Sequence, residues 1–217
     1  MPAISVSVGQ HIQRGFTLIE ALVTLVIFSI LLAIGVPTMM TWTLATKAAS
    51  ATELYAEGIK MARQQALTHN AASRLVLSPN LSNHQLDWEV DICFPTAEVA
   101  CSDTSGSWSQ QSPGPAAAND PDPGTPFHSV FRSASGLPAA EVLQPLLSPS
   151  GSVSVYFTPL GWVGPSSQPA LNMITFQPAA AYATSIRASA IVITLAGTAL
   201  KCDPAIVAAG DSRKCTP

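Results

Sequence analysis

The chain has 217 residues, a formal net charge of −3 at pH 7 and only 11% charged side chains, with a mean hydropathy of +0.31. That length suffices for one domain with a substantial core beside a membrane anchor. The acidic balance gives no global electrostatic reason to bind nucleic acid.

Residues 1–15 read as a short leader whose only firm positive charge besides the amino terminus is Arg14. With no acid before Glu20, the positive-inside rule favours a cytoplasmic leader and an exported C-terminal domain. Losing residues 1–15 would remove one base and no acid, leaving a side-chain charge of −4. Residues 16–36 are apolar, with Glu20 as the one charge and Thr17, Thr24 and Ser29 as mild polar interruptions. A helix of about 20 residues, rising about 1.5 Å per residue, covers a hydrocarbon core of about 30 Å. A membrane span is therefore expected.

Two details set this span apart from a secretory signal. Such a signal carries its small-residue cleavage site after the apolar run, whereas Arg14 and Gly15 stand in front of it. Glu20 is costly in lipid and calls for a functional partner. It falls in the first turn, where the helix dipole and a nearby amine would stabilise the anion. A cut between Gly15 and Phe16 would create that amine.

The run Arg14-Gly15-Phe16-Thr17-Leu18-Ile19-Glu20 resembles the prepilin processing motif of type IV pilins and type II secretion pseudopilins. The resemblance implies that prepilin peptidase cuts after Gly15 and methylates the Phe16 amine. It also implies that Glu20 pairs with the amine of a neighbouring subunit during assembly. The rival reading is a plain N-terminal anchor with an incidental glutamate.

Pro37 removes a helix hydrogen bond and is expected to kink the helix near the membrane boundary. Over residues 38–70 the helical pattern continues, with Leu44, Ala48, Ala51, Tyr55, Ile59, Ala62 and Ala66 at intervals of three and four. Lys47, Glu53, Glu57, Lys60 and Arg63 fall between them. This predicts an amphipathic extension whose apolar stripe is covered by the rest of the chain. His69 is expected to face water as a cation at the helix C-terminus.

Strands are predicted at residues 73–77, 85–94, 129–131, 152–157, 172–176 and 187–195, with Ala196-Gly197 turning the last one back through residues 198–202. Between residues 97 and 126 the composition shifts to Ser, Pro, Gly, Asn and Asp. That stretch reads as a long inserted loop, either functional or mobile. The successive strands and short turns predict an α+β fold: a long N-terminal helix, transmembrane over residues 16–37 and amphipathic over 38–70, packed on one antiparallel β-sheet in a domain spanning 71–217.

The helix end and first strand, residues 62–77, resemble those of the GspH/FimT-type minor pilins and pseudopilins. So do Phe157-Thr158-Pro159-Leu160-Gly161, Ile174-Thr175-Phe176 and the hairpin from Ile191 to Gly197 with the following Lys201-Cys202. The likeness covers both ends of the chain and misses the middle loop. It implies a pilin-like fold and partners among other pilin or pseudopilin subunits, prepilin peptidase, an inner-membrane assembly platform and membrane lipid. Some DNA-uptake members carry an arginine-rich last hairpin and tail. Here Thr198-Ala199-Leu200-Lys201 follows Gly197.

Four cysteines at 93, 101, 202 and 215 would meet an oxidising compartment in an exported domain. Of three connectivities, Cys93 with Cys101 and Cys202 with Cys215 is favoured because both close short loops, although sequence leaves pairing open. Zinc is disfavoured, since the intervals lack tight pairs and His69, His84 and His128 are scattered.

Phosphate-cradling, G-x-S-x-G and H-E-x-x-H motifs are absent from the sequence. The close carboxylates Asp87 with Glu89 and Asp120 with Asp122 read as solvated charges rather than an acid/base pair. No cofactor is implied, and an enzyme is the poorest hypothesis. The leading one is a minor pilin held by one span in a bacterial inner membrane with a periplasmic domain, which enters a type IV pilus and serves motility, adhesion or DNA uptake. The first alternative is an H-type pseudopilin of type II secretion. The second is DNA binding through Lys201, Arg213 and Lys214 in the tail, weak and salt-sensitive because few phosphate contacts are available.

Overall fold

The computed structural model describes residues 16–102, 105–166 and 169–216. They form one α-helix, α1 (Leu18–His69), a short 3-10 helix (Ala180–Tyr182) and eight strands: β1 (Ala72–Pro79), β2 (Leu86–Cys93), β3 (Val130–Arg132), β4 (Leu143–Ser148), β5 (Ser154–Phe157), β6 (Met173–Pro178), β7 (Ser189–Ile193) and β8 (Ala199–Cys202). The described residues form two units, 16–41 and 42–216.

The first unit is the apolar part of α1. Thr17 stands before the helix, accepting the Glu20 amide at Oγ1 (3.3 Å) while its carbonyl takes the Ala21 amide (3.1 Å). That is an N-cap, with the glutamate three residues on as in a capping box. The hydroxyls along this stretch are answered by the helix itself. Thr24 donates to Ala21 O (2.9 Å), Ser29 to Leu25 O (2.8 Å) and Thr38 to Ile34 O (3.0 Å). A hydroxyl bonded back to its own helix can lie in hydrocarbon without an orphaned donor. Pro37 lies inside the helical run Leu18–His69.

The second unit begins as α1 becomes amphipathic. Ala48, Ala51, Tyr55, Ile59, Ala62 and Ala66 are buried, so the stripe read from the sequence is the stripe that packs. Thr52 and Gly58 complete it. The strands form two antiparallel sheets, ordered β3-β2-β1-β5 and β4-β6-β7-β8, where the spacing of strands suggested one. The α1 stripe shares one core with both: Leu75, Trp88, Val90, Val155 and Phe157 from the first sheet, and Leu143, Ile174, Phe176, Ile191 and Ile193 from the second.

Polar bonds fix the helix against the first sheet. Tyr55 donates its hydroxyl to Leu86 O (2.7 Å) and accepts the Leu86 amide (3.2 Å), and Trp88 Nε1 donates to Leu54 O (2.9 Å). Ser73 Oγ donates to Ala62 O (2.6 Å). These side chains are buried, so each bond also satisfies a carbonyl or hydroxyl that has left water. Burial pushes the Tyr55 phenol well above its ordinary range, keeping it neutral and able to donate.

Strand β4 was not anticipated. Its Pro145 argues against a central strand, and the structure places it at the sheet edge, where the missing donor costs no ladder bond.

Candidate functional site

The groups that the sequence singles out for processing and assembly lie at the start of α1. Gly15 falls outside the described residues. Phe16 is 74% exposed, and every described residue through Thr43 is exposed apart from the half-buried Gly35. Glu20 is the one acid of the first turn. Its amide is capped by Thr17, but among the described residues nothing answers its carboxylate. An exposed apolar helix with one unpaired charge in its first turn has two stable environments, lipid and a bundle of like helices. The helix satisfies the dimensional test for a membrane span, with a mean hydropathy of 2.6 in its most apolar window.

The four cysteines form Cys93–Cys101 and Cys202–Cys215 disulfides, with Cα separations of 6.0 and 5.0 Å. The first ties the end of β2 to the Pro/Ser/Gly-rich loop, and that loop is built into the domain. Ile92 and Ser109 exchange bonds through Ser109 N to Ile92 O (2.9 Å) and Ile92 N to Ser109 Oγ (2.9 Å). Arg74 Nε donates to Asp91 Oδ2 (2.6 Å) and its guanidinium lies 4.5 Å from the Trp108 ring centre. Ser129 Oγ donates to Asp91 Oδ1 (2.7 Å). His69, expected to face water, is instead half-buried between Phe94 and Phe127, with ring centres 6.4 and 5.4 Å away.

Two of the three tail cations are already paired with carboxylates. Lys201 on β8 pairs with Glu53 of α1. Arg213 pairs with Asp211 at 2.8 Å, and this hydrogen bond pulls the Asp211 carboxyl down to about 2. Lys214 is half-buried and joins Asp203 through a backbone bridge.

The carboxylate pairs noted in the sequence do structural work. Asp87 Oδ1 accepts from Asn80 Nδ2 (2.7 Å) and from the Ala134 amide (2.6 Å). Asp120 accepts the amides of Asp122 and Phe127, and Asp122 those of Gly124 and the Thr125 hydroxyl.

The resemblance motifs converge on a residue whose role their sequence did not disclose. Arg63 Nε donates to Gly161 O (3.2 Å) and to Ala196 O (3.1 Å), joining the helix end, the Phe157–Gly161 turn and the last hairpin. Gly197 has φ +75°, and a Cβ there would collide with the Gly161 carbonyl oxygen. An arginine between Ala62 and Gln64 on an amphipathic helix carries no local signal for such a contact.

An exposed apolar helix with a capped start and a single glutamate, followed by antiparallel β-sheets, is a pilin-like α+β organisation. The sequence model of the prokaryotic N-terminal methylation motif matches residues 11–36. That of the type II transport protein GspH matches residues 51–197, most of the soluble domain. The chain belongs to the GspH family. No curated protein and no solved structure matches it. Family and motif together support a minor pilin or pseudopilin role, in a type IV pilus or a type II secretion system, within a structural rather than catalytic family. The apolar helix and the motif are consistent with membrane anchoring and a periplasmic domain.

Proposed function

We propose that the protein is a minor pilin that waits in the inner membrane, is cut after Gly15 and methylated at Phe16 by prepilin peptidase, and then enters a type IV pilus. The observation that carries this reading is Glu20: a lone carboxylate in the first turn of an exposed apolar helix, with its amide capped and its charge unanswered among the described residues. The Phe16 amine of a neighbouring subunit would supply the counter-charge, and helix packing the remaining contact. Two disulfides and a well-tied surface loop suit a subunit displayed outside the cell.

Glu20→Ala should leave the protein at its normal level in the membrane while its amount in sheared filaments falls sharply. Intact mass should begin at a methylated Phe16. Retention of residues 1–15 in cells with active peptidase, or normal filament incorporation of Glu20→Ala, would overturn the reading. The family's type II transport description favours a second placement, the H-type position of a pseudopilus. Deleting the gene separates the two: loss of pilus-dependent motility supports the first, and loss of protein secretion the second.

A further inference from the structure

From Val142 to Leu200 the sequence holds a single charged side chain, Arg187. An exported domain ordinarily carries about a quarter of its residues as charges, so this neutrality calls for a cause. It coincides with a cluster of exposed large apolar side chains. Leu160 is 72% exposed, Trp162 57%, Leu195 78% and Leu67 46%.

The segments bearing these four residues touch one another. Val163 N donates to Leu195 O (2.9 Å), linking the β5–β6 turn to the β7–β8 hairpin. Arg63 binds a carbonyl from each. The Leu67 side chain lies within 3.0–3.2 Å of where a Gly161 Cβ would be. The hairpin and turn are thus held by defined polar bonds while their leucines and tryptophan are exposed, which is an ordered patch rather than a frayed loop.

We propose that this patch, Leu67, Leu160, Trp162 and Leu195, is a docking surface for the soluble domain of another pilin-fold subunit. The chemistry selects that occupant. Nucleic acid and lipid headgroups require free cations; residues 158–164 and 194–198 supply none, and the neighbouring Lys201 and Arg63 are already engaged, by Glu53 and by two carbonyls. Charge depletion with exposed Trp and Leu is the composition of a protein interface core. The docking surface rests on the reading of the chain as an assembly subunit.

The test places a photo-crosslinking residue at Trp162, and separately at Leu81, a 92% exposed leucine in the β1–β2 turn, in the full chain in cells. An adduct from position 162 to a pilin-family subunit, identified by mass, with none from position 81, supports the proposal. A second arm introduces Leu160→Glu with Leu195→Glu, and Leu81→Glu as control. The double variant should keep its membrane level and thermal midpoint while its amount in filaments falls about tenfold or more, the loss expected at an interface centre. Filament incorporation of the double variant at wild-type level, or position-162 adducts to lipid alone, would overturn the docking surface and leave the Glu20 reading intact. Failure of the wild-type chain to enter any filament would overturn both.

Discussion

Arg63 donates to the carbonyl of Ala196 at 3.1 Å, a contact spanning 133 positions of sequence, and the same nitrogen reaches Gly161 O. A guanidinium holding two turn carbonyls contributes charge-assisted bonds, and its removal leaves both acceptors short of a donor. Arg63→Ala should lower stability by about 2 kcal/mol. Thermal unfolding of the detergent-solubilised full chain checks it, and Arg63→Lys should recover only part of the loss because one ammonium fits this fork poorly.

Gly58 lies under Trp88. A Cβ there would come 2.9 Å from Trp88 Cδ2 and 3.0 Å from Leu75 Cδ1. Trp88 is itself held by its bond to Leu54 O, so it cannot simply swing away. Gly58→Ala should destabilise the domain by about 1–3 kcal/mol through overpacking, even though alanine is the better helix former. A gain in the thermal midpoint would show that the helix moves off the sheet more freely than the bonding implies.

Glu89 supplies a pH prediction. Burial raises its carboxyl above the ordinary range, the Gln111 amide at 2.7 Å pulls the other way, and Asp91 adds to the rise. An acid whose folded value exceeds its unfolded one holds its proton more tightly when folded. Its contribution is therefore fully present at low pH and declines as pH rises through the raised value. Glu89→Gln keeps an acceptor for Gln111 and removes the charge. Its thermal midpoint should exceed wild type at pH 7 by a few degrees at most, and match it near pH 4.

The Cys202–Cys215 bond closes a loop with a sequence separation of 13. In the chain-entropy model a loop of that size stabilises the folded state by about 3 kcal/mol. The Cys202→Ser with Cys215→Ser variant should lose about that much in denaturant titration. Peptide mapping without reduction gives the pairing directly, and a Cys93 to Cys202 cross-link would contradict it.

Any DNA binding through the tail should be weak, because Glu53 and Asp211 already answer Lys201 and Arg213. Three contacts would allow a slope of about −2 to −3 in log affinity against log salt. Titration of labelled duplex at several salt concentrations measures it. Substituting Lys201, Arg213 and Lys214 should remove what binding exists with little change in stability. A much steeper slope would place the basic surface elsewhere.

The sequence by itself determined what local periodicity encodes. The apolar run with Glu20 needs only its length, and the stripe from Ala48 to Ala66 and the alternation in β1, β2 and β6 each repeat with the period of their own element, so no distant residue is needed to read them. What long-range contact decides was left to the tertiary structure. The division into two sheets depends on which strands pair. Strand β4 depends on an edge position that tolerates Pro145. His69 sits between two phenylalanines from separate segments, and Lys201 meets a glutamate 148 positions away. The loop around Ser109 is held by backbone amides, small hydroxyls and the ring of Trp108 rather than by a run of apolar side chains, so its composition resembles that of a free linker while its bonds fix it in place.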